Sequence, residues 1–240
     1  MLAQEAVPDK ASELAAIPPL LERLGAEDGL KGALVSIDAI ATNADIARAI
    51  TAQGADWLLA VKANQPSLRA EVEAAFAEAG AALETSTDLD KGHGRIEERR
   101  TAILRDTGWL EGARRFPGEL RLPGTTCLVR AETRVETRGK MRSETRYFIS
   151  SRALTAAQAA EAIRGHWAIE NRLHWVLDVT FADDQSRLRK GHGARNMATV
   201  RHFALNLVRT ATDKRSIKSR RKIAGWDPNY LDAILSSRPA

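Results

Sequence analysis

The sequence predicts a mixed α/β fold: a parallel strand–helix–strand unit, then a run of antiparallel strands, then long helices. Three observations carry this. Two short apolar runs bounded by glycine, 33–39 and 56–64, flank a stretch with helical spacing. From about Leu89 to Ser151 polar and apolar residues alternate between Gly and Pro punctuation, the period of half-buried strands. From Leu154 onward the spacing returns to that of an Ala-rich helix, with Thr155 as a cap candidate.

The elements follow in order. Residues 12–24, SELAAIPPLLERL, begin with a Ser cap candidate and space apolar residues helically, but Pro18 and Pro19 predict a short or interrupted helix. ALVSIDA predicts a buried strand ending at Asp38, NADIARAITAQGAD an amphipathic helix closed by Gly54, and DWLLAVKAN a second strand. Pro66 opens a helix from Ser67 to about Ala79, because a proline in the first turn breaks no internal bond. HGRIEERRTAILR, TTCLVRAETRVETR and SETRYFISS predict antiparallel strands, with Arg138 to Lys140 as a hairpin turn. The block 154–181 predicts the longest helix. A further helix, from about Arg195 to Thr212, places Met197, Val200, Phe203, Ala204 and Leu207 on one face.

At 240 residues and 44% hydrophobic content the chain can bury one sizeable core or two small ones, far from the signature of disorder. It opens on no basic region followed by an apolar run, and no uninterrupted apolar stretch reaches the roughly 18 residues of a membrane span. Cys127 is the only cysteine, which excludes an internal disulfide framework and a Cys-rich zinc site and predicts a buried thiol in a reducing cytoplasm. The net charge of +5 divides unevenly: residues 1–100 carry 10 Lys and Arg against 17 Asp and Glu. Residues 185–222 hold 12 Lys and Arg and one acid, Asp213. Such a segment neutralises phosphates or is a solvated face.

Individual residues carry chemistry to different degrees. Asp38, at the carboxyl end of a strand in a parallel unit, stands where such sheets place functional groups, or else caps the following turn. Glu170 sits mid-helix among Ile169, Leu173 and tryptophans, so buried surroundings are expected. His166 and His174 lie four residues to either side of it. That spacing allows a transition-metal site or a plain His–Glu pairing, although the His-Glu-x-x-His motif is absent. Lys62, Asn64 and Gln65 leave the second strand toward the same end of the sheet as Asp38, to contact phosphate, to orient a carboxylate, or to form a turn. His93, Arg95 and Arg99 alternate along a strand and share one face, either toward a DNA backbone or toward water.

LVSIDAIATNADIARAI, GADWLLAVKANQPSL, GHGRIEERR, ETRYFISS and especially RGHWAIENRLHWVLDVTFADDQSR resemble, in this order, the characteristic blocks of the H-repeat-associated (ISAs-type) insertion-sequence transposases. The likeness runs from Lys10 to about Leu235. It implies an RNase H-like core with a β-rich insertion between the second and third acidic residues, and DNA transposition by metal-dependent cleavage and strand transfer. By motif Asp38 resembles the second acid of a DDE triad and Glu170 the third, both as ligands of Mg2+ or Mn2+. Hard cations take oxygen ligands, and two of them about 3.5–4 Å apart stabilise the attacking and leaving oxygens of a phosphodiester displacement. The implied partner is double-stranded DNA, transposon ends and target. Lys62, Asn64, His93, Arg95, Arg99, His166, Arg172, His174, Lys190, Arg195 and Arg201 are the residues assigned to it. His166 stands where related transposases often carry Arg, and Leu177 near their usual Lys. Pairing of two DNA ends by a homodimer fits the resemblance, and nothing in these residues shows it. The implied location is the cytoplasm, on the nucleoid when DNA is bound, with no membrane.

On this reading residues 1–88 are the first part of the core, 89–151 the β-rich insertion, 152–212 the helical part carrying Glu170, and 213–240 a basic C-terminal segment. The family's first acid lies on an earlier strand, and neither Asp9, in a Pro-Asp turn, nor Asp28, in a Gly-rich loop, is expected within one. The expectation is therefore a truncated member without the first Asp and inactive on its own, with a non-catalytic DNA-binding protein derived from a transposase as the alternative.

Overall fold

The structure is a computed structural model that describes residues 5, 7, 13–80, 83–92, 94–116, 119–188 and 190–236. These fall into two compact units, one up to His166 and one from Trp167 onward.

The first unit is built on one six-stranded mixed sheet. Strand β1 (Leu34–Ile37) pairs in parallel with β2 (Asp56–Val61), which pairs antiparallel with β6 (Lys140–Ser150). The sheet continues antiparallel through β5 (Cys127–Thr137) and β4 (Arg95–Leu104) to β3 (Glu84–Gly92), in the order β1-β2-β6-β5-β4-β3. Strand β2 is apolar at almost every position because both of its faces are covered. Trp57, Leu59 and Val61 join one core with Leu21, Ile46, Ile50, Val72 and Phe76, drawn from α1 (Glu13–Gly25), α2 (Ala44–Ala52) and α3 (Pro66–Glu78). Leu58 and Ala60 face a second core with Ile103, Val129, Phe148, Ala159 and Ile163, the last two from α4 (Ala156–Ile169).

Local chemistry sets the ends of these elements. The Asn43 side chain accepts a bond from the Ile46 N–H at 2.9 Å, capping α2, and Gly54 closes it at a φ of +69° that disfavours a side chain. Thr155 and Gln158 form a reciprocal capping box at the start of α4: the Gln158 N–H donates to Thr155 Oγ1 and the Thr155 N–H to Gln158 Oε1. Arg138 and Gly139, with φ of 50° and 74°, make the two-residue turn of the β5–β6 hairpin at the place the sequence marks.

Two expectations change in this unit. Helix α1 runs unbroken through Pro18 and Pro19; each proline removes one hydrogen bond, but Leu21 is buried in the first core and Ile17 packs on it, and this packing holds the turn. The Ser12 cap lies outside the described residues. The antiparallel strands begin at Glu84, not near Leu89, because β3 (ETSTDLDKG) pairs with β4 along its whole length. This edge strand carries too few apolar residues to show an alternation, and its charges suit an edge: Asp88 pairs with Arg164 at 2.6 Å and lies 3.5 Å from Arg99.

The second unit is helical. It contains the five-residue π turn Glu170–His174, then α5 (Trp175–Phe181), α6 (Gly193–Thr210), α7 (Ile217–Trp226) and α8 (Pro228–Ser236). The block is thus helical from Ala156 to Phe181 but not one regular α-helix. A small core joins Val176 and Leu177 to Leu205, so the buried side of α6 is Leu205 and Val208. Of the stripe read from the sequence, Met197, Ala204 and Leu207 are half-buried, whereas Val200 and Phe203 are exposed. Asp213 braces the C-terminal helices, accepting from the Tyr230 hydroxyl at 2.5 Å, the Arg215 N–H at 2.8 Å and Arg220 Nε at 3.2 Å. These donors, the Tyr230 hydroxyl foremost, hold its carboxyl down at about 2. A depressed carboxylate stabilises the fold above its ordinary pKa of about 4 and loses that contribution as pH falls toward 2. Asp213→Asn is therefore expected to lower the melting temperature at pH 7, with the gap from the unsubstituted protein closing between about pH 4 and pH 2. A gap independent of pH contradicts the brace.

Candidate functional site

In the first unit, the end of β1 and the loop after β2 converge on Asp38. The Asp38 carboxylate accepts from the Ala39 N–H at 2.8 Å, capping the short 3-10 turn Ala39–Ala41, and from Lys62 Nζ at 2.6 Å. The loop is pinned there by its own amides: Asn64 donates to the Ala39 carbonyl at 3.1 Å and Gln65 to that of Thr42. His166 Nδ1 lies 3.0 Å from Ser36 Oγ, which ties α4 to β1. The Asp38 side chain is 60% exposed, and the Lys62 bond, with the Ala39 N–H and the nearby charges of Lys62 and His166, holds its carboxyl below the ordinary value against a modest burial. Asp38 thus caps the turn that follows it, and its carboxylate stays open to solvent at the C-terminal end of a parallel strand. Lys62→Met is expected to move the Asp38 carboxyl back up toward its ordinary value, followed by 13C NMR titration. An unchanged titration removes Lys62 as the cause.

In the second unit, Glu170 opens the π turn, and His174 Nδ1 lies 3.4 Å from its carboxylate. A π turn is an uncommon interruption of a helix and concentrates at functional positions. The surroundings differ from those expected. The Glu170 side chain is 59% exposed, and Ile169 and Trp175 beside it are exposed too, because the apolar side of this block turns Val176 and Leu177 inward instead. Asp178, which the sequence reading passed over, is half-buried; burial foremost, with the charges of Asp184, Asp183 and Glu170, raises its carboxyl above the ordinary value. The signal for it was the acid-rich DVTFADD run itself.

The remaining candidates scatter. Arg95 and Arg99 share one face of β4, as expected, and Glu97 sits between them at 3.5 Å and 2.8 Å. His93 lies outside the described residues. Lys190 is exposed just before α6 and Arg195 is exposed within it, while Arg201 is engaged by Asp183. The carbonyl of Arg172 accepts a bond from Arg209. Much of the basic segment is internal bracing. Arg215 and Arg220 hold Asp213, and Arg221 donates to the Thr180 carbonyl with its guanidinium 5.3 Å from the Phe181 ring centre.

Carboxylate oxygens suit a divalent magnesium or manganese ion in kind, but among the described residues no group of three or more His, Cys, Asp or Glu is placed to hold a metal ion. Asp38 is moreover already engaged by Lys62. The described side chains thus fall short of a metal site, and the His166, Glu170, His174 constellation does not form one. Also among the described residues, no helix is long and apolar enough to cross a membrane.

The fold and site define a mixed α/β protein with an ionised carboxylate at the mouth of a parallel strand pair. The chain belongs to the DDE transposase family: the family model described as "Transposase DDE domain" matches residues 1–207. Among curated proteins it is similar to "Putative protein YbfL" of Escherichia coli (strain K12), 35% identical over 95% of this chain and 60% of that protein. The "H repeat-associated putative transposase YhhI" of the same strain is likewise 35% identical, with the same coverage. The "Putative transposase YncI" of Escherichia coli O157:H7 is 34% identical over 99% of this chain and 60% of its own length. The chain therefore spans about 60% of the length of these relatives.

Proposed function

We propose that this chain serves DNA transposition, binding double-stranded DNA and contributing Asp38 and Glu170 as the second and third carboxylates of a DDE set with an RNase H-like core. The observation that carries the reading is the place of Asp38, at the C-terminal end of a parallel strand in a chain whose family is that of DDE transposases. Asp38 and Glu170 would hold magnesium or manganese only together with a further carboxylate, and the ion would there supply Lewis-acid stabilisation of the phosphodiester oxygens. The side chains of this chain do the rest. Lys62 pairs with the Asp38 carboxylate and fixes its position, Asn64 and Gln65 fix the loop that carries Lys62, and His166 anchors α4 to the strand that presents Asp38.

Among the described residues before β1, helix and turn are the only regular structure, and Asp28 lies in a turn 3.5 Å from Lys31. Asp9 lies outside the described residues. Among the described residues before β1, no acid stands on a strand. The expected behaviour of the chain is salt-sensitive binding of duplex DNA without strand cleavage. A metal-dependent nicking assay, run beside a binding titration, tests both halves. Absence of duplex binding sinks the DNA role. Cleavage lost in both Asp38→Asn and Glu170→Gln shows instead a complete site within this chain.

A further inference from the structure

The β5–β6 hairpin extends the sheet well past the helices that cover it. Both strands are eleven residues long, and their last buried positions lie at the proximal end, Cys127 to Val129 and Phe148 to Ser150. Beyond these, toward the turn, one face of the ribbon forms a concavity of about 670 Å³ lined by Arg95, Thr133, Val135, Arg138, Lys140 and Arg142 among others. The register explains the grouping. Arg142 faces Val135, Lys140 faces Thr137, and Thr137 faces Arg95 across the next pair, so these side chains point to the same face by the strand period of two.

The charge balance of this surface is one-sided. Of the carboxylates on this face, Glu97 lies between Arg95 and Arg99, Glu144 holds Arg146 at 2.6 Å, and Asp90 stands across Glu97 on the far edge strand β3. Arg138, Lys140 and Arg142 are exposed and have no ion-pair or hydrogen-bond partner among the described residues. Hydroxyls of Thr133 and Thr137 stand among them as neutral donors. Three unpaired cations on a concave sheet face suit a polyanionic backbone.

We infer that the distal face of this hairpin, with Arg138, Lys140 and Arg142 as its contacts, grips the phosphate backbone of duplex DNA. The inference rests on the proposed DNA role and adds a surface separate from the Asp38 site. Each cation that neutralises a phosphate adds about 0.9 to the slope of log affinity against log salt. The test is a fluorescence-anisotropy titration of the 240-residue chain with a labelled duplex at several salt concentrations. It compares the unsubstituted protein with the combined variant Arg138→Asn, Lys140→Gln, Arg142→Gln. Asn is chosen at 138 because it tolerates the positive φ there. The slope is expected to become shallower by about 2.7 in the combined variant, and by about 0.9 in Lys140→Gln or Arg142→Gln alone should the combined variant melt abnormally. If the unsubstituted protein binds with a steep slope and the variants share it, the ribbon assignment is overturned and the DNA role stands. If the unsubstituted protein does not bind duplex DNA, both fall together.

Discussion

Raising monovalent salt from 50 to 200 mM is expected to weaken the binding of this chain to duplex DNA by about 10³-fold or more, the loss that six or more neutralised phosphates imply. The number follows from which cations are free, and fewer are free than the sequence suggests. Of the basic residues between 185 and 222, Arg201, Arg209, Arg215, Arg220 and Arg221 are spent inside the helical unit on Asp183, Asp213 and backbone carbonyls. Arg187, Lys190, Lys214, Lys218 and Lys222 remain exposed without a carboxylate partner among the described residues. Five such cations lie in the helical unit and three on the hairpin of the first unit, so a loss of this size is the expected result when both units contact the duplex. A binding constant that moves less than tenfold over this salt range means that contacts other than phosphates dominate.

Trp57→Ala is expected to destabilise the first unit by about 3–5 kcal/mol, the usual cost of emptying a large aromatic site in a packed core. Trp57 is 1% exposed and lies at the centre of the larger core between the sheet and α1 to α3. Its backbone also joins β2 to the end of β6: its N–H donates to Ser151 Oγ, and its carbonyl accepts from Ser150 Oγ and the Ser151 N–H. Since a domain is commonly stable by about 5–15 kcal/mol, the loss is a large share of its stability. Urea unfolding followed by far-UV circular dichroism reads it. Trp226→Ala, at a side chain 69% exposed, is the matched control and is expected to shift stability by less than about 0.5 kcal/mol. Equal effects at the two tryptophans contradict the packing described.

The parts of the fold legible in the sequence are those fixed by local chemistry. Asn43 and Gly54 bracket α2, Pro66 opens α3, Thr155 caps α4, and Arg138 with Gly139 turns the hairpin, each at or near the position that its residue type dictates. What was not legible depends on partners distant in sequence. β3 is a strand because β4 lies beside it, not because ETSTDLDKG alternates. Helix α1 crosses Pro18 and Pro19 because a core awaits Leu21. The same holds at the site. The strand-end position of Asp38 was readable, but its lysine partner was only one option among several for the 62–65 loop. Glu170 was expected among buried neighbours because Ile169 and the tryptophans are apolar, yet the π turn and the inward turn of Val176 and Leu177 leave it facing solvent. Hydrophobic neighbours in sequence do not make a buried site unless the helix period carries them to the same face.

The most direct test of the account is a magnesium- and manganese-dependent nicking assay on duplex DNA with the unsubstituted chain, Asp38→Asn and Glu170→Gln, each checked for duplex binding in the same buffer. The expected result is salt-sensitive binding by all three and nicking by none, because the proposed function gives Asp38 and Glu170 as only two carboxylates of a set that needs three. Nicking by the unsubstituted chain that disappears in both variants contradicts it and places a complete catalytic site within these 240 residues.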